Sequence, residues 1–241
     1  MHKFGLKHIA AAAVFGLSAA SASAVVVTVT PPGTALTNQG LISSVGGLAC
    51  ANISFNDSTN LTTFANPSTQ CSGITYTPGS GRAYVSGSVG SQHAAPPDDT
   101  SVFLTVSPSQ DGKSGDTPVT ITLPNDANYF GFYAASLDPY NYIEFFENST
   151  SVGKYSGTQL ASLAGLNATG DQNAGLYFNV FLSKDLSYFN KVVLTSTAYA
   201  FETDNHSFGI ATAPETVPVP GVLALLSIGL VGIGATRRKQ A

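Results

Sequence analysis

The chain has 241 residues, with 24 Gly, 13 Pro, 14 Phe, 10 Tyr, two Cys and no Trp. Charged residues make up 10%, against about 25% in ordinary soluble domains, and apolar residues 43%; this excludes a highly charged disordered chain and a coiled coil. A formal charge of −4 argues against a basic nucleic-acid binder, and four His and two Cys, none clustered, argue against a His/Cys zinc site.

Met1–Ala24 reads as a secretory signal peptide. Lys3 and Lys7 precede the uncharged apolar run Ile9–Ala20, and Ala22-Ser23-Ala24 is a small-x-small cleavage site. Cleavage between Ala24 and Val25 is expected, which places the rest of the chain in an oxidising compartment. The run is too short to span a membrane comfortably, which argues against an uncleaved anchor.

Val25–Thr30 predicts a first strand, ended by Pro31-Pro32-Gly33. Thr34–Gly81 is rich in Ser, Thr, Asn and Gly and looks short of core residues. Cys50 and Cys71 lie in it, and two Cys in an oxidising compartment predict one disulfide. A loop of that length contributes about 3 kcal/mol when the bridge is unstrained. Gly79–Val89 and Ser101–Val106 read as strands, with His93–Asp99 and Ser107–Asp116 as polar loops. Further strands are predicted at Pro118–Leu123, Tyr129–Ala135, Tyr142–Phe146, Ser151–Tyr155, Leu176–Leu182, Lys191–Ser196 and Ser207–Thr212. Each is short, β-branched or aromatic, and bounded by Asn, Asp, Gly or Ser. Asn148-Ser149 predicts a hairpin turn, and Thr158–Ala164 one or two helical turns. No internal repeat is evident. The pattern predicts an all-β fold, an antiparallel β-sandwich or jelly-roll-like domain over residues 25–216.

The C-terminus combines Val217-Pro218-Val219-Pro220-Gly221, the uncharged run Val222–Ala235, and Arg237-Arg238-Lys239. As a helix the 14-residue run reaches about 21 Å, short of the roughly 30 Å hydrocarbon core; including Val217–Gly221 makes a marginal transmembrane helix. The basic cluster belongs on the cytoplasmic side, leaving the body outside. This three-part order resembles the PEP-CTERM sorting signal, here over residues 217–239, with Val219 where Glu is usual. The resemblance implies processing by exosortase, a membrane cysteine-protease-like enzyme of Gram-negative bacteria. It also implies export across the inner membrane, an anchored precursor, and a final place at the cell surface or outside the cell. Without both ends, Lys and Arg fall from 10 to five (Arg82, Lys113, Lys154, Lys184, Lys191) while all 14 acids remain, so the body carries about −9. Such a surface repels DNA and anionic lipid and is compatible with glycans and divalent cations.

Two stretches resemble a group of exosortase-sorted surface proteins. The first contains Gly131, Tyr133, Ser136, Asp138, Tyr140, Asn141, Ile143, Phe145 and Phe146; the second contains Phe189, Lys191, Val192, Leu194, Ser196, Phe201, Glu202, Asp204 and Asn205. Asn190 stands where that group usually has Asp. The resemblance implies a β-rich surface domain and carries no activity.

Oxygen-bearing side chains in these stretches support two readings. Asp138, Asn141, Glu202 and Asp204 converge on a Ca²⁺, which takes six to eight oxygens, or they bond the turns around Pro139 and the last strand. An enzyme reading needs a carboxylate pair across a cleft. Glu144 and Glu147 have odd spacing and face opposite sides of a strand. Glu202 with Asp138 is the other pair, and His206 beside Asp204 has the form of a base with its orienter, but no nucleophile motif accompanies them. An enzyme is therefore not expected. Tyr129, Tyr133, Tyr140, Tyr142, Tyr155 and Tyr177 offer sugar-stacking surfaces if exposed, or core aromatics with hydroxyls at the rim. The expectation is an exosortase-processed protein with a structural or adhesive role in the envelope or exopolysaccharide matrix. A Ca²⁺-stabilised carbohydrate-binding module and an envelope hydrolase are the alternatives.

Overall fold

The computed structural model describes residues 25–30, 37–56, 64–65, 71–78, 84–90, 93–107, 118–134, 137–167, 175–182 and 188–214. The signal peptide up to Ala24, the sorting residues Val217–Gly221 with Arg237 and Arg238, and Ser136 lie outside them. Among the described residues no helix is long and apolar enough to cross a membrane.

Thirteen strands and one helix are present among the described residues. In chain order the strands are β1 (Val26–Thr30), β2 (Cys50–Ile53), β3 (Phe64–Ala65), β4 (Thr75–Pro78), β5 (Tyr84–Ser86), β6 (Val102–Val106) and β7 (Val119–Ala127). They continue with β8 (Tyr129–Ala134), β9 (Asn141–Glu147), β10 (Thr150–Ser156), the helix α1 (Gly157–Leu163), β11 (Leu176–Phe181), β12 (Phe189–Ser196) and β13 (Phe201–Gly209). One sheet runs β1-β11-β8-β13-β6-β5, with β2 also paired to β13; the other runs β10-β9-β12-β7-β4-β3. Every pairing between these strands is antiparallel. The fold is the expected antiparallel all-β sandwich. From β6 to β13 the chain crosses repeatedly between sheets, so each apolar face is built from residues far apart in sequence.

The two sheets bury themselves differently. In the second, β9 alternates, with Asn141, Ile143 and Phe145 buried, and β12 buries Phe189, Val192, Leu194 and Ser196. That is a sheet with one face on the core and one toward water. In the first, β8 and β13 are buried at every position. Phe130, Phe132, Phe178, Phe201 and Phe208 fill the space between the sheets, with Phe130 stacked on Phe208 at 4.9 Å and Phe132 on Phe178 at 5.3 Å between centroids. The opposite face of this sheet is covered by residues 37–43 and 93–101, which hydrogen-bond to each other through Gly40 N to Asp98 O (3.2 Å) and Thr100 N to Asn38 O (3.0 Å).

Local chemistry explains the connections. Asn148-Ser149 joins β9 to β10 as a two-residue loop, with Asn148 at φ 55°, the left-handed conformation that tight hairpins use. Asn190 pins the hairpin tip. Its Oδ1 accepts from Asn148 N (2.8 Å), and its Nδ2 donates to Asn148 Oδ1 (3.1 Å) and Asp126 Oδ1 (3.4 Å). The helical turns expected near Thr158 are α1. Ser156 and Gln159 form a capping box, and Gly165 at φ 75° closes the far end with Leu166 N bonded to Ala161 O (2.7 Å). Cys50 and Cys71 form the expected disulfide.

Two expectations are corrected. The stretch from Thr34 to Gly81 is not short of core residues: Leu41, Ile53, Phe55, Ile74 and Tyr76 are all buried, and β2, β3 and β4 lie in it. Its apolar residues are isolated in sequence and are gathered by pairing to β13 and β7. The last strand is Phe201–Gly209 rather than Ser207–Thr212. Its run of polar residues reads as a loop in sequence, yet it forms a central strand because its side chains find partners on both faces of the sheet.

Candidate functional site

β13 lies between β8 and β6 and carries Glu202, Thr203, Asp204, Asn205, His206 and Ser207, all buried. Six consecutive buried polar residues require a full set of partners, because an unpaired polar group costs about 1–3 kcal/mol. A bulge divides them between the two faces. Asp204 pairs with Tyr133 and Ser207 with Gly131, so three steps along β13 match two along β8, and Asn205 takes φ 50° to absorb the extra residue.

On the inner face, His206 sits among the Phe55 and Phe130 rings, each 5.2 Å away between centroids. Its Nδ1 meets the Tyr76 hydroxyl at 3.0 Å and its Nε2 the Thr203 hydroxyl at 2.8 Å. Burial pushes its pKa down to about 3, so the ring is neutral. A hydroxyl, an imidazole and a second hydroxyl in line resemble a nucleophile with its base. His206 and Thr203 on β13 have no solvent exposure and Tyr76 lies on β4 of the other sheet, so the chain is a hydrogen-bonded tie between the sheets. The bulge also separates His206 from Asp204, which the sequence had placed side by side as base and orienter.

On the outer face, Glu202 Oε1 accepts from Ala94 N at 2.9 Å. Burial, partly offset by that N–H, raises the Glu202 pKa to about 7, with the Asp138 charge adding to the rise. Asp204 Oδ1 accepts from Asn205 N (2.7 Å), and its Oδ2 lies 3.4 Å from Ser101 Oγ. Burial and the neighbouring Asp99 push its pKa well above the usual carboxylate range. Asn205 Nδ2 donates to Gln39 O. Tyr177 donates to Asn205 O (2.8 Å) and meets Ser207 Oγ (2.8 Å), which donates to Ala51 O (2.6 Å). Tyr129 donates to Asn179 Oδ1 (2.8 Å) and meets Ser43 Oγ (2.7 Å), and Tyr133 donates to Pro97 O.

The four residues expected to hold Ca²⁺ do not form one set of ligands. Asn141 caps the Asp138-Pro139 corner: its Oδ1 accepts from Asp138 N (2.8 Å) and its Nδ2 donates to Ala200 O (3.1 Å). The Asn141 amide thus ties the turn to the segment before the last strand, and the Asp138 side chain is hydrogen-bonded to Tyr140 within the same turn. Glu202 is taken by Ala94, and Asp204 belongs with Asp99 and Ser101. Among the described residues no group of three or more His, Cys, Asp or Glu stands together to hold a metal. Asp99 was read only as part of a polar loop. Its pairing with Asp204 across more than 100 residues has no signal in the sequence.

The other candidates also find structural places. Glu144 bridges to Lys154 at 3.4 Å on the outer face of its sheet, and Glu147 is exposed beside the hairpin. Of the six tyrosines, Tyr129, Tyr133 and Tyr177 are buried, while Tyr140, Tyr142 and Tyr155 are half-buried, so they do not form one exposed row. A groove of about 180 Å³ opens beside the disulfide, lined by Cys71, Ile74, Leu123, Asp126 and Phe208 among others. Asp126 is the one acid among the described residues of its lining. No protein-family model matches the chain, and no curated protein matches it.

Proposed function

We propose that this is an exosortase-processed surface protein with a structural or adhesive role in the envelope or exopolysaccharide matrix of a Gram-negative bacterium. The Pro-x-Pro, apolar run and basic cluster of residues 217–239 carry the reading. The disulfide supports it, because such bridges persist outside the cytoplasm. So does a sandwich whose first sheet, β1-β11-β8-β13-β6-β5, is covered on both faces, which suits a passive building element. The body's negative charge keeps copies soluble and apart until a neutral polymer or a divalent cation joins them.

The test is the intact mass of the protein recovered from the producing organism's envelope and medium. A mass lacking Met1–Ala24 and the tail beyond about Pro220 is expected. A mass that retains Gly221–Ala241 overturns the sorting step and leaves a membrane-anchored envelope protein.

A further inference from the structure

The outer face of the sheet that carries β13 holds an electrostatic imbalance. Asp99 and Asp204 are both buried, at 4% and 0% exposure, and Ser101 Oγ lies between their carboxyls, 2.5 Å from Asp99 Oδ1 and 3.4 Å from Asp204 Oδ2. Two buried carboxyls this close do not both ionise without a compensating charge. Among the described residues the only Lys and Arg are Lys154 and Lys191, and both lie on the other sheet. Two oxygens here have no donor: Asp99 Oδ2 and Asn205 Oδ1, both buried. The Asn205 amide cannot turn to correct this, because its Nδ2 is held by the carbonyl of Gln39, which is itself bridged to Asp99. The bulge in β13 turns Asp204 and Asn205 to the same face and into the same two covering segments.

We propose that Asp99, Asp204 and Asn205, with the Ser101 hydroxyl, bind one divalent cation of the Ca²⁺ class, which fastens the 37–43 and 93–101 segments to the sheet. The donors are all hard oxygens, two carboxylates with an amide and a hydroxyl, which is a Ca²⁺ set and not a zinc one. The site does not depend on the proposed role at the cell surface. It shares Asp204 with the set read from the sequence and replaces the other three.

The test uses the exported protein with its disulfide intact, stripped with EDTA and titrated with CaCl₂ at neutral pH, with MgCl₂ as the comparison. The expected result is one Ca²⁺ per chain and a Tm raised by about 5–10 °C at a hundredfold excess over Kd. Asp99→Asn and Asp204→Asn each weaken binding more than about tenfold. Asn205→Asp separates ligation from structure, since a third carboxylate tightens Ca²⁺ binding while lowering the Tm of the metal-free protein. A folded parent with no binding heat and an unchanged Tm overturns the site. So does Ca²⁺ binding that Asn205→Asp and the two Asn variants leave unaltered.

Discussion

Gly131 lies in the middle of β8, paired to Asn179 on one side and Ser207 on the other. A Cβ there would stand 2.3 Å from Tyr129 Oη, 2.6 Å from Tyr177 Oη and 2.7 Å from Tyr177 Cε1. Neither ring is free to move. The Tyr177 hydroxyl is bonded to Asn205 O and Ser207 Oγ, both at 2.8 Å, and the Tyr129 hydroxyl lies between Ser43 Oγ (2.7 Å) and Asn179 Oδ1 (2.8 Å). Gly131→Ala therefore overpacks the face, at about 1–3 kcal/mol. It also loosens at least one buried hydrogen bond, worth about 1 kcal/mol. Restricting the unfolded chain returns about 0.4–1 kcal/mol. The expected net is a loss of about 2–3 kcal/mol and a Tm lower by about 5–10 °C. Urea and thermal unfolding followed by near-UV circular dichroism measure it. Adding Tyr177→Phe removes one of the obstructing oxygens and recovers part of the loss. A Gly131→Ala protein as stable as its parent refutes the reasoning.

Three further outcomes are expected. Replacing both Cys50 and Cys71 by Ala lowers stability by about 3 kcal/mol, the loop-closure value for a bridge spanning 21 residues, and an unchanged urea midpoint contradicts it. Asn190→Asp keeps the acceptor for Asn148 N but loses the donor and sets a carboxylate beside Asp126, so it costs about 0.5–1.5 kcal/mol in thermal melts at neutral pH. The pH dependence has two opposed parts. Glu202 holds its proton to about 7 in the folded state against 4.5 unfolded, so its contribution is full below pH 4.5 and is lost as pH rises through 7. His206 stays neutral to about 3 against 6.5 unfolded, so its contribution is full above pH 6.5 and is lost as pH falls toward 3. Glu202→Gln should flatten the Tm profile between pH 4.5 and 7, and a profile identical to the parent's would show that Glu202 is not held neutral.

Much of the fold is legible because short strands declare themselves locally. Alternation in Asn141–Glu147 and Phe189–Ser196 marks one apolar face and one wet face. Asn148-Ser149 supplies a turn between two such runs, and Thr158–Ala164 reads as helical turns, which the structure shows as α1. Phe55 and Tyr76 were illegible for the opposite reason. Each is a lone aromatic among Ser, Thr and Asn, and only the disulfide region's docking against His206 brings them into the core.

The amino-acid order by itself determines the all-β character and the hairpin at Asn148, because alternation and turn chemistry act over a few residues. It determines the Cys50–Cys71 bridge because no other pairing exists. Tertiary structure alone decides the fate of the Glu202–Ser207 run. Its polar side chains are stable in a central strand only because a bulge at Asn205 turns Asp204 and Asn205 to one face and His206 to the other. Partners from residues 39, 76, 94, 99 and 101 then meet them there. Those partners lie more than 100 residues away, at distances where no local pattern records which side chains will meet.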